Sequence, residues 1–254
     1  MEIDTYEPGV PCWIDAGVDD IARTADFFTQ LWGWDCPEGP AEFGGYRSCT
    51  LKGRPVAGIG VRQNLDVPPF WSAYTKVDAI EPVVELVTAN GGTVVVPPME
   101  IPGAGRMAVF LDPAGAAFSV WEPGEHQGCG IVNEPGAFSW SELMTDDLEG
   151  AKAFYPAVFG WEHETNDGYT EWKVGGRSIA GMMGRPPGMP AEAPPMWTIY
   201  FAVDDCDAAV ARIQELGGQL YNGPMDIAPG RFAVVAEPSG AMFQVIKLTE
   251  GIGG

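Results

Sequence analysis

The sequence predicts an α+β protein built from four similar units, each with a strand, a helix and further strands. Three observations predict this fold class. The chain repeats itself once over nearly its whole length, amphipathic helices follow short strands, and a turn with Pro and Gly closes each half. Both halves carry the same elements in the same order, so each element of the first half has a counterpart in the second.

The internal repeat aligns the two halves at a nearly constant offset. Trp13 matches Trp140, and the segment 105–115 matches 230–240, so the offset drifts only from 127 to 125 residues. The sequence between the halves is polar and rich in turn residues, which is typical of a linker. We therefore predict two homologous domains, 1–125 and 134–254.

Each half begins with a short strand that is followed by an amphipathic helix. Asp19 and Asp146 are good N-cap residues for these helices, which are expected to end near Gly33 and Gly160. Apolar residues recur at helical spacing and define one buried face of each helix. The first strands are predicted at 12–17 and 139–144.

A second strand and helix follow in each half, after two or three short strands that carry Gly45-Tyr46 or Gly168-Tyr169. An acid-Pro-x-Gly turn then predicts a closing hairpin, because Pro and Gly suit a tight turn. The second strands are predicted at 71–77 and 197–203, and the closing turns at 112–115 and 237–240.

Composition excludes several function classes. The chain has 254 residues with 14 basic and 35 acidic side chains, a formal net charge of −21. A nucleic-acid partner would require Lys/Arg clusters, and anionic membrane surfaces are disfavoured for the same reason. No apolar run reaches the roughly 18 residues of a membrane-spanning helix, and the acidic start is unlike a signal peptide. We expect a cytoplasmic protein without a membrane or nucleic-acid partner.

Cysteine and histidine residues are few and widely spaced. The five cysteines include no C-x-x-C pair, so the sequence indicates neither a disulfide framework nor a zinc knuckle. We interpret them as small buried hydrophobes. The two histidines, His126 and His163, fall in predicted loops.

The repeated motifs carry a resemblance to a known family. In the second half these are a strand, Asp147, a helix with Phe154-Tyr155 and the segment Phe159-Gly160-Trp161, followed later by the acid-Pro-x-Gly hairpin. This pattern, present in both halves, resembles the vicinal oxygen chelate superfamily of glyoxalases, extradiol dioxygenases and bleomycin-resistance proteins. The resemblance implies paired βαβββ modules, four in all, that form cupped mixed β-sheets around a ligand.

Metal-using members of this superfamily place ligands at three positions in each half. The resemblance maps them onto the first strand, the second-unit strand and the last strand of each half, and none of these residues is a strong ligand. We therefore expect that the metal site has been lost and that there is no cofactor. The mapped residues are Trp13, Ser72 and Ser119 in the first half and Trp140, Thr198 and Gln244 in the second.

Strand periodicity places residues i and i+2 on the same face. It places Asp15 on the face of Trp13 and Glu142 on the face of Trp140. These two acids are the candidate catalytic residues, because a carboxylic acid beside an indole should have a raised pKa. The alternative is that each acid only anchors its strand, and each Trp is a core residue. The predicted ligand-binding residues are Trp13, Ser72, Tyr74, Ser119, Trp121, Trp140, Thr198, Tyr200 and Gln244.

Other polar residues near these strands have no assigned role. For Tyr46 and Tyr169 the sequence favours neither a role in the site nor a structural role. Arg106 and Arg231 could clamp an acidic ligand group, but pairing with surface acids is the favoured interpretation.

Such an aromatic cleft predicts a small-molecule partner, flat, aromatic and neutral or cationic. The first hypothesis is a metal-independent tailoring enzyme that acts on an aromatic or polyketide-type secondary metabolite. The alternative is a protein that sequesters an antibiotic or metabolite without turnover, and a third is an accessory subunit of an oxygenase. The sequence leaves homodimer formation open.

Overall fold

The computed structural model describes residues 1–186, 189–190 and 193–249. Within them it contains fifteen β-strands and four α-helices. The first half contributes β1 (Pro11–Val18), α1 (Ile21–Trp32), β2 (Arg47–Leu51), β3 (Arg54–Val61), β4 (Phe70–Lys76), α2 (Ile80–Ala89), β5 (Thr93–Ile101), β6 (Gly105–Leu111) and β7 (Ala117–Pro123). The second contributes β8 (Phe138–Met144), α3 (Leu148–Phe159), β9 (Glu162–Asn166), β10 (Tyr169–Val174), β11 (Arg177–Met183), β12 (Met196–Ala202), α4 (Cys206–Glu215), β13 (Gln219–Ile227), β14 (Gly230–Ala236) and β15 (Met242–Leu248).

Each half of the chain forms one mixed sheet. The first has seven strands in the order β2-β3-β1-β4-β7-β6-β5, and the second has eight in the order β13-β14-β15-β12-β8-β11-β10-β9. At the centre of each sheet the opening strands of its two units pair antiparallel, β1 with β4 and β8 with β12. Parallel pairs flank this centre. The α+β fold class and its repeated units are thus confirmed.

The helix ends follow from side-chain and backbone caps, with one correction. The N-caps of α1 and α3 are Asp20 and Asp147, whose carboxylates accept the backbone N–H of the third residue that follows. The prediction of Asp19 and Asp146 was wrong by one residue because these side chains instead pair with arginines at the ends of β3 and β11. The helix ends at Gly33 and Gly160 are confirmed, and both glycines adopt left-handed backbone angles.

The core lies between the two sheets and is shared by both halves. One hydrophobic cluster combines α1 and β1 with β12 and β15, and the other combines α2 with α3 and β8. The ring of Phe28 on α1, for example, lies 5.5 Å from Trp71 of the first sheet and 5.7 Å from Phe243 of the second. We call the sheet surfaces that meet in this core the packed faces.

Hydrogen bonds also join the halves at equivalent places. The indole N–H of Trp34 donates to the carbonyl of Gly136, and that of Trp161 donates to the carbonyl of Gly9, both at 2.8 Å. The two pairs are 127 residues apart in the sequence, so the interface has approximate twofold symmetry.

The cysteines depart from the sequence prediction. Cys36 and Cys49 form a disulfide bond, while Cys12, Cys129 and Cys206 are free and buried. The pair forms because an isolated antiparallel bridge joins the two neighbouring residues, Asp35 and Thr50, and brings the cysteine Cα atoms to 4.3 Å. The interpretation of all five as small buried hydrophobes was therefore wrong for these two.

The two histidines lie in different kinds of structure. His163 lies on the edge strand β9 rather than in a loop, because β9 pairs with β10 in the larger sheet. His126 lies in the linker after β7, as predicted.

Within the described residues, none of the helices has the length and apolar character needed to cross a lipid bilayer.

Candidate functional site

The predicted site residues of the first half share one face of their sheet. In the strand register Asp15 pairs with Ser72 and Trp13 with Tyr74, and Tyr74 pairs in turn with Ser119. Residues that pair across strands point to the same side of a sheet, and this side is opposite to the packed face. We call it the first acid face; Trp121, two residues beyond Ser119, also lies on it.

The second half repeats this arrangement on the second acid face. Glu142 pairs with Thr198, and Tyr200 pairs with both Trp140 and Gln244. The structure thus brings together the sequence-predicted residues within each half, but in two separate groups. Since the packed faces meet in the core, the two acid faces point to opposite sides of the molecule.

Asp15 is held by two tyrosine hydroxyls on the first acid face. Tyr74 donates a hydrogen bond to its carboxylate at 2.9 Å, and Tyr46 donates another at 3.4 Å. The indole N–H of Trp13 donates to the Tyr46 hydroxyl at 3.1 Å. Burial raises the pKa of Asp15 to about 7, although the two tyrosine hydrogen bonds act to lower it.

Glu142 has equivalent partners on the second acid face. Tyr200 donates to its carboxylate at 2.9 Å, Tyr169 also hydrogen-bonds it, and the indole N–H of Trp140 donates to the Tyr169 hydroxyl at 3.0 Å. Only 4% of the Glu142 surface is exposed. Burial raises the pKa of this carboxyl above its ordinary value, again against the two tyrosine hydrogen bonds.

Tyr46 and Tyr169 are therefore site residues to which the sequence assigned no role. Each aromatic ring lies across a glycine of the neighbouring strand, where there is no room for a side chain. A Cβ atom added at Gly58 would lie 1.7 Å from the Tyr46 hydroxyl oxygen, and one added at Gly181 would lie 1.9 Å from that of Tyr169. The Gly-Tyr pair that recurs in both halves was the sequence signal that could have identified them.

The linker covers the part of the first acid face that contains Trp13 and Trp121. The imidazole of His126 packs edge-on against the Trp13 ring, with 4.2 Å between ring centroids. The Trp121 indole donates to the backbone carbonyl of His126 at 2.8 Å, which fixes the linker in place. Trp13 is only 4% exposed, and burial lowers the pKa of His126 to about 4, so its imidazole is neutral at pH 7.

The second acid face differs at the matching positions. Trp140 is partly exposed, and Ile246 stands where the first half has Trp121. The side-chain amide N–H of Gln244 donates to the Thr198 hydroxyl at 2.8 Å. The Gln244 carbonyl oxygen, in contrast, is buried and has no hydrogen-bond partner among the residues that the structure describes.

Arg106 and Arg231 pair with acidic residues away from the carboxyl clusters. Arg106 contacts Glu81 and Glu122, and Arg231 contacts Asp207 and Asp226. Their interpretation as partners of surface acids is confirmed.

The positions at which the family places metal ligands do not offer a fitting donor set. The Trp13 indole can only donate, and its N–H is already bound to Tyr46. In the second half the Thr198 hydroxyl accepts a hydrogen bond from Gln244. Across the described part of the chain, no three His, Cys, Asp or Glu side chains are placed to hold a metal ion.

Comparison with known proteins identifies related chains. The model of the Glyoxalase/Bleomycin resistance protein/Dioxygenase superfamily matches residues 137–245. The "Putative glyoxylase CFP32" of Mycobacterium tuberculosis is 40% identical, over 95% of this chain and 96% of its own length. The "Anthracycline biosynthesis protein DnrV" of Streptomyces peucetius is 38% identical, over 97% of this chain and 96% of its own length.

Among solved structures, the Mn(II)-bound glyoxalase from Novosphingobium aromaticivorans has a similar fold, with a TM-score of 0.67 at 16% identity. That alignment covers 94% of this chain and 82% of the glyoxalase. The 2,3-dioxygenase LapB from Pseudomonas sp. KL28 has a TM-score of 0.66 at 13% identity, with coverage of 95% and 93%.

Proposed function

Because the chain belongs to the glyoxalase, bleomycin resistance protein and dioxygenase superfamily, we propose that it is a metal-independent tailoring enzyme for an aromatic, polyketide-type metabolite. The carrying observation is the carboxyl of each acid face, which is held by two tyrosines next to an indole and has a raised pKa. The relatives DnrV and DauV, both named as anthracycline biosynthesis proteins, support the substrate class.

The reaction class that fits these residues is proton transfer. Burial raises the pKa of both carboxyls, so each holds a proton more readily than a free acid and can take up a proton and return it. The ionised carboxylate removes a proton from a carbon that is next to a ligand carbonyl or conjugated with it through an aromatic ring, and the C–H electron pair forms an enolate. The carboxylic acid then returns the proton to the enolate oxygen or to carbon, so no oxidant or reductant is consumed.

The tyrosines have a positioning role in this proposal. Tyr74 and Tyr46 hold the Asp15 carboxylate in one orientation, and Tyr200 and Tyr169 do the same for Glu142. Their hydroxyls donate to the ionised form and keep the carboxyl pKa from rising further. A flat ligand would lie on the indole side of the cluster, since aromatic rings stack well on tryptophan.

The test measures proton exchange on a flat tricyclic ketone. Anthrone carries exchangeable C10 hydrogens next to its ring system, and their replacement in D₂O can be followed by NMR. We expect the protein to accelerate exchange, and the double variant Asp15→Asn/Glu142→Gln to lose roughly 100-fold or more of that acceleration. Asp66→Asn, the same change at an exposed loop position, is the matched control. No acceleration by the unmodified protein would refute the proposal.

Sequestration without turnover is the second candidate. The net charge of −21 and the aromatic acid faces favour retention of a neutral or cationic aromatic compound. In that case the double variant would change only the affinity for the compound, and mass spectrometry would detect no product.

A further inference from the structure

We propose that the disulfide bond between Cys36 and Cys49 is a thiol-sensitive switch that controls the contact of Tyr46 with Asp15, so that the first acid face responds to reducing agents and the second does not. The reagent class is a low-molecular-weight thiol. The inference rests on the proposed function in so far as Asp15 is the catalytic acid, and its test does not measure catalysis.

The disulfide closes the loop that carries Tyr46. This tyrosine lies between α1 and β2, three residues before Cys49. Among the described residues, the segment between α1 and β2 makes one isolated β-bridge, which joins Asp35 to Thr50. Because a cross-link restricts the conformations of the loop that it closes, the bond from Cys36 to Cys49 keeps the tyrosine near its sheet.

The second half holds its matching tyrosine without a disulfide. By the internal repeat, His163 stands at the position of Cys36, and Trp172, three residues after Tyr169, stands at the position of Cys49. His163 and Trp172 are direct partners in the ladder of five residue pairs between β9 and β10, and their rings meet edge-on at 5.9 Å. This ladder contains no bond that a thiol can break, so the second half is a built-in control.

The Tyr46 side chain connects this loop to the carboxyl. Its hydroxyl accepts the indole N–H of Trp13 at 3.1 Å and donates to Asp15 at 3.4 Å. Its ring lies against β3, where a Cβ atom added at Gly60 would be 2.9 Å from the ring. These contacts require the Tyr46 backbone to stay beside the sheet. If the loop is released, Asp15 loses one of its two tyrosine hydroxyls and keeps that of Tyr74.

The disulfide lies where a thiol can reach it by a local opening. Strand β2, which carries Cys49, is at the edge of the first sheet. Cys36 is 9% exposed and lies between the exposed residues Asp35 and Pro37. Exposed edges open with a lower free energy than the core. The bond can therefore be uncovered while the core remains folded.

The reaction is thiol–disulfide exchange. A reagent thiolate attacks one sulfur of the bond, forms a mixed disulfide and releases the other cysteine as a thiolate. A second thiol group then displaces the remaining cysteine. The protein disulfide takes up two electrons and two protons to give two thiols, and the two reagent thiols are oxidised to one disulfide.

The experiment follows the Asp15 carboxyl by ¹³C NMR during a pH titration of the full chain, before and after treatment with dithiothreitol. In the oxidised protein the hydroxyls of Tyr74 and Tyr46 lower the pKa of Asp15 against the effect of burial. Loss of the Tyr46 hydroxyl should raise the titration midpoint by roughly one pH unit. The spectrum of Asp15→Asn assigns the signal, and the midpoint of Glu142 should not move.

Three variants separate the switch from a general effect of reduction. Cys36→Ser/Cys49→Ser should titrate like the reduced protein, with or without dithiothreitol. Cys206→Ser changes a buried free cysteine, so it is the matched control and should keep the response. Tyr46→Phe removes the hydroxyl itself, so its Asp15 midpoint should already be raised and should not respond to the reagent.

Hydrogen exchange measured by mass spectrometry reports the movement of the loop. On reduction, the amides of residues 37–48 should exchange about tenfold faster or more, whereas those of β4 and of residues 162–174 should keep their rates. Unchanged exchange at 37–48, an unchanged Asp15 midpoint in the reduced protein, or equal shifts of Asp15 and Glu142 would each overturn the inference. If both expected shifts occur but the protein does not accelerate anthrone exchange, the switch stands and the proposed chemistry is refuted.

Discussion

Asp15 shows how burial and hydrogen bonding oppose each other at a single residue. Burial favours the neutral carboxyl and raises its pKa, whereas the hydroxyls of Tyr74 and Tyr46 stabilise the carboxylate. The effect of burial is the larger of the two, so the pKa of Asp15 is higher in the folded protein than in the unfolded chain. Such a group stabilises the fold fully at low pH and loses this contribution as pH rises.

The pH dependence of stability follows with a definite sign. Between about pH 4 and pH 7 Asp15 is ionised in the unfolded chain but still protonated in the fold, so the free energy of unfolding should fall by up to roughly 4 kcal/mol relative to Asp15→Asn, which cannot ionise. Urea unfolding of both proteins at several pH values measures this difference. Parallel stability curves for the two proteins would contradict a raised pKa.

At the same scale, the sequence predicts which residues share a face but not their partners. Strand periodicity joins Asp15 to Trp13 and Tyr74 to Ser72. The family resemblance then places both pairs on the ligand side of the sheet. Tyr46 lies just before β2, and its approach to Asp15 depends on the space above Gly58, which belongs to another strand. A sequence pattern within one segment does not show whether another strand leaves such a space.

At the scale of elements, the repeat predicts the four α-helices of the described residues and the end of the first helix in each half, whereas local competition decides the N-caps. Asp19 and Asp20 are both suitable caps by residue type, and the guanidinium of Arg62 decides between them by binding Asp19. The equivalent choice in the second half is made by Arg185, which binds Asp146 and two carbonyls of the following loop. Long-range partners of this kind cannot be predicted from helix signals alone.

The disulfide ties the segment after α1 to strand β2. Alkylation of the denatured, unreduced protein should label three cysteines, and alkylation after reduction should label all five. Intact-protein mass spectrometry counts the labels. Five labels without reduction would show the Cys36 and Cys49 thiols to be free, as expected for a reducing cytoplasm.

At the scale of the molecule, the closing hairpin of each half binds the first helix of the other half. The hydroxyl of Tyr155 on α3 donates to Asp112 at 3.0 Å, and that of Thr24 on α1 donates to Glu237 at 3.1 Å. Tyr155 also accepts the indole N–H of Trp197 at 2.9 Å. The two halves are therefore joined by buried polar contacts as well as by a common core.

Loss of one hydroxyl should weaken this interface. Tyr155→Phe removes the hydroxyl that donates to Oδ2 of Asp112 and accepts from the Trp197 indole, so we expect the free energy of unfolding to fall by about 1–3 kcal/mol. Tyr221→Phe removes the same atom from a side chain that is 54% exposed and should change stability by less than about 0.5 kcal/mol. Equal effects of the two variants in thermal or urea unfolding would contradict the assigned role.

The first half shows what the molecule is like without that hydroxyl. Phe28 stands at the position of Tyr155. The indole N–H of Trp71, the counterpart of Trp197, is buried and has no hydrogen-bond partner within the described part of the chain. The repeat predicts that these positions correspond. The effect of the missing hydroxyl on the Trp71 indole, however, can be recognised only from the packing of the helices against both sheets.

The opposite orientation of the two acid faces has an evolutionary consequence. Each acid face belongs to its own sheet, and the packed faces lie between the two. A duplicated ancestor with this geometry could therefore vary one acid face while the other kept its carboxyl and the tyrosines that bind it.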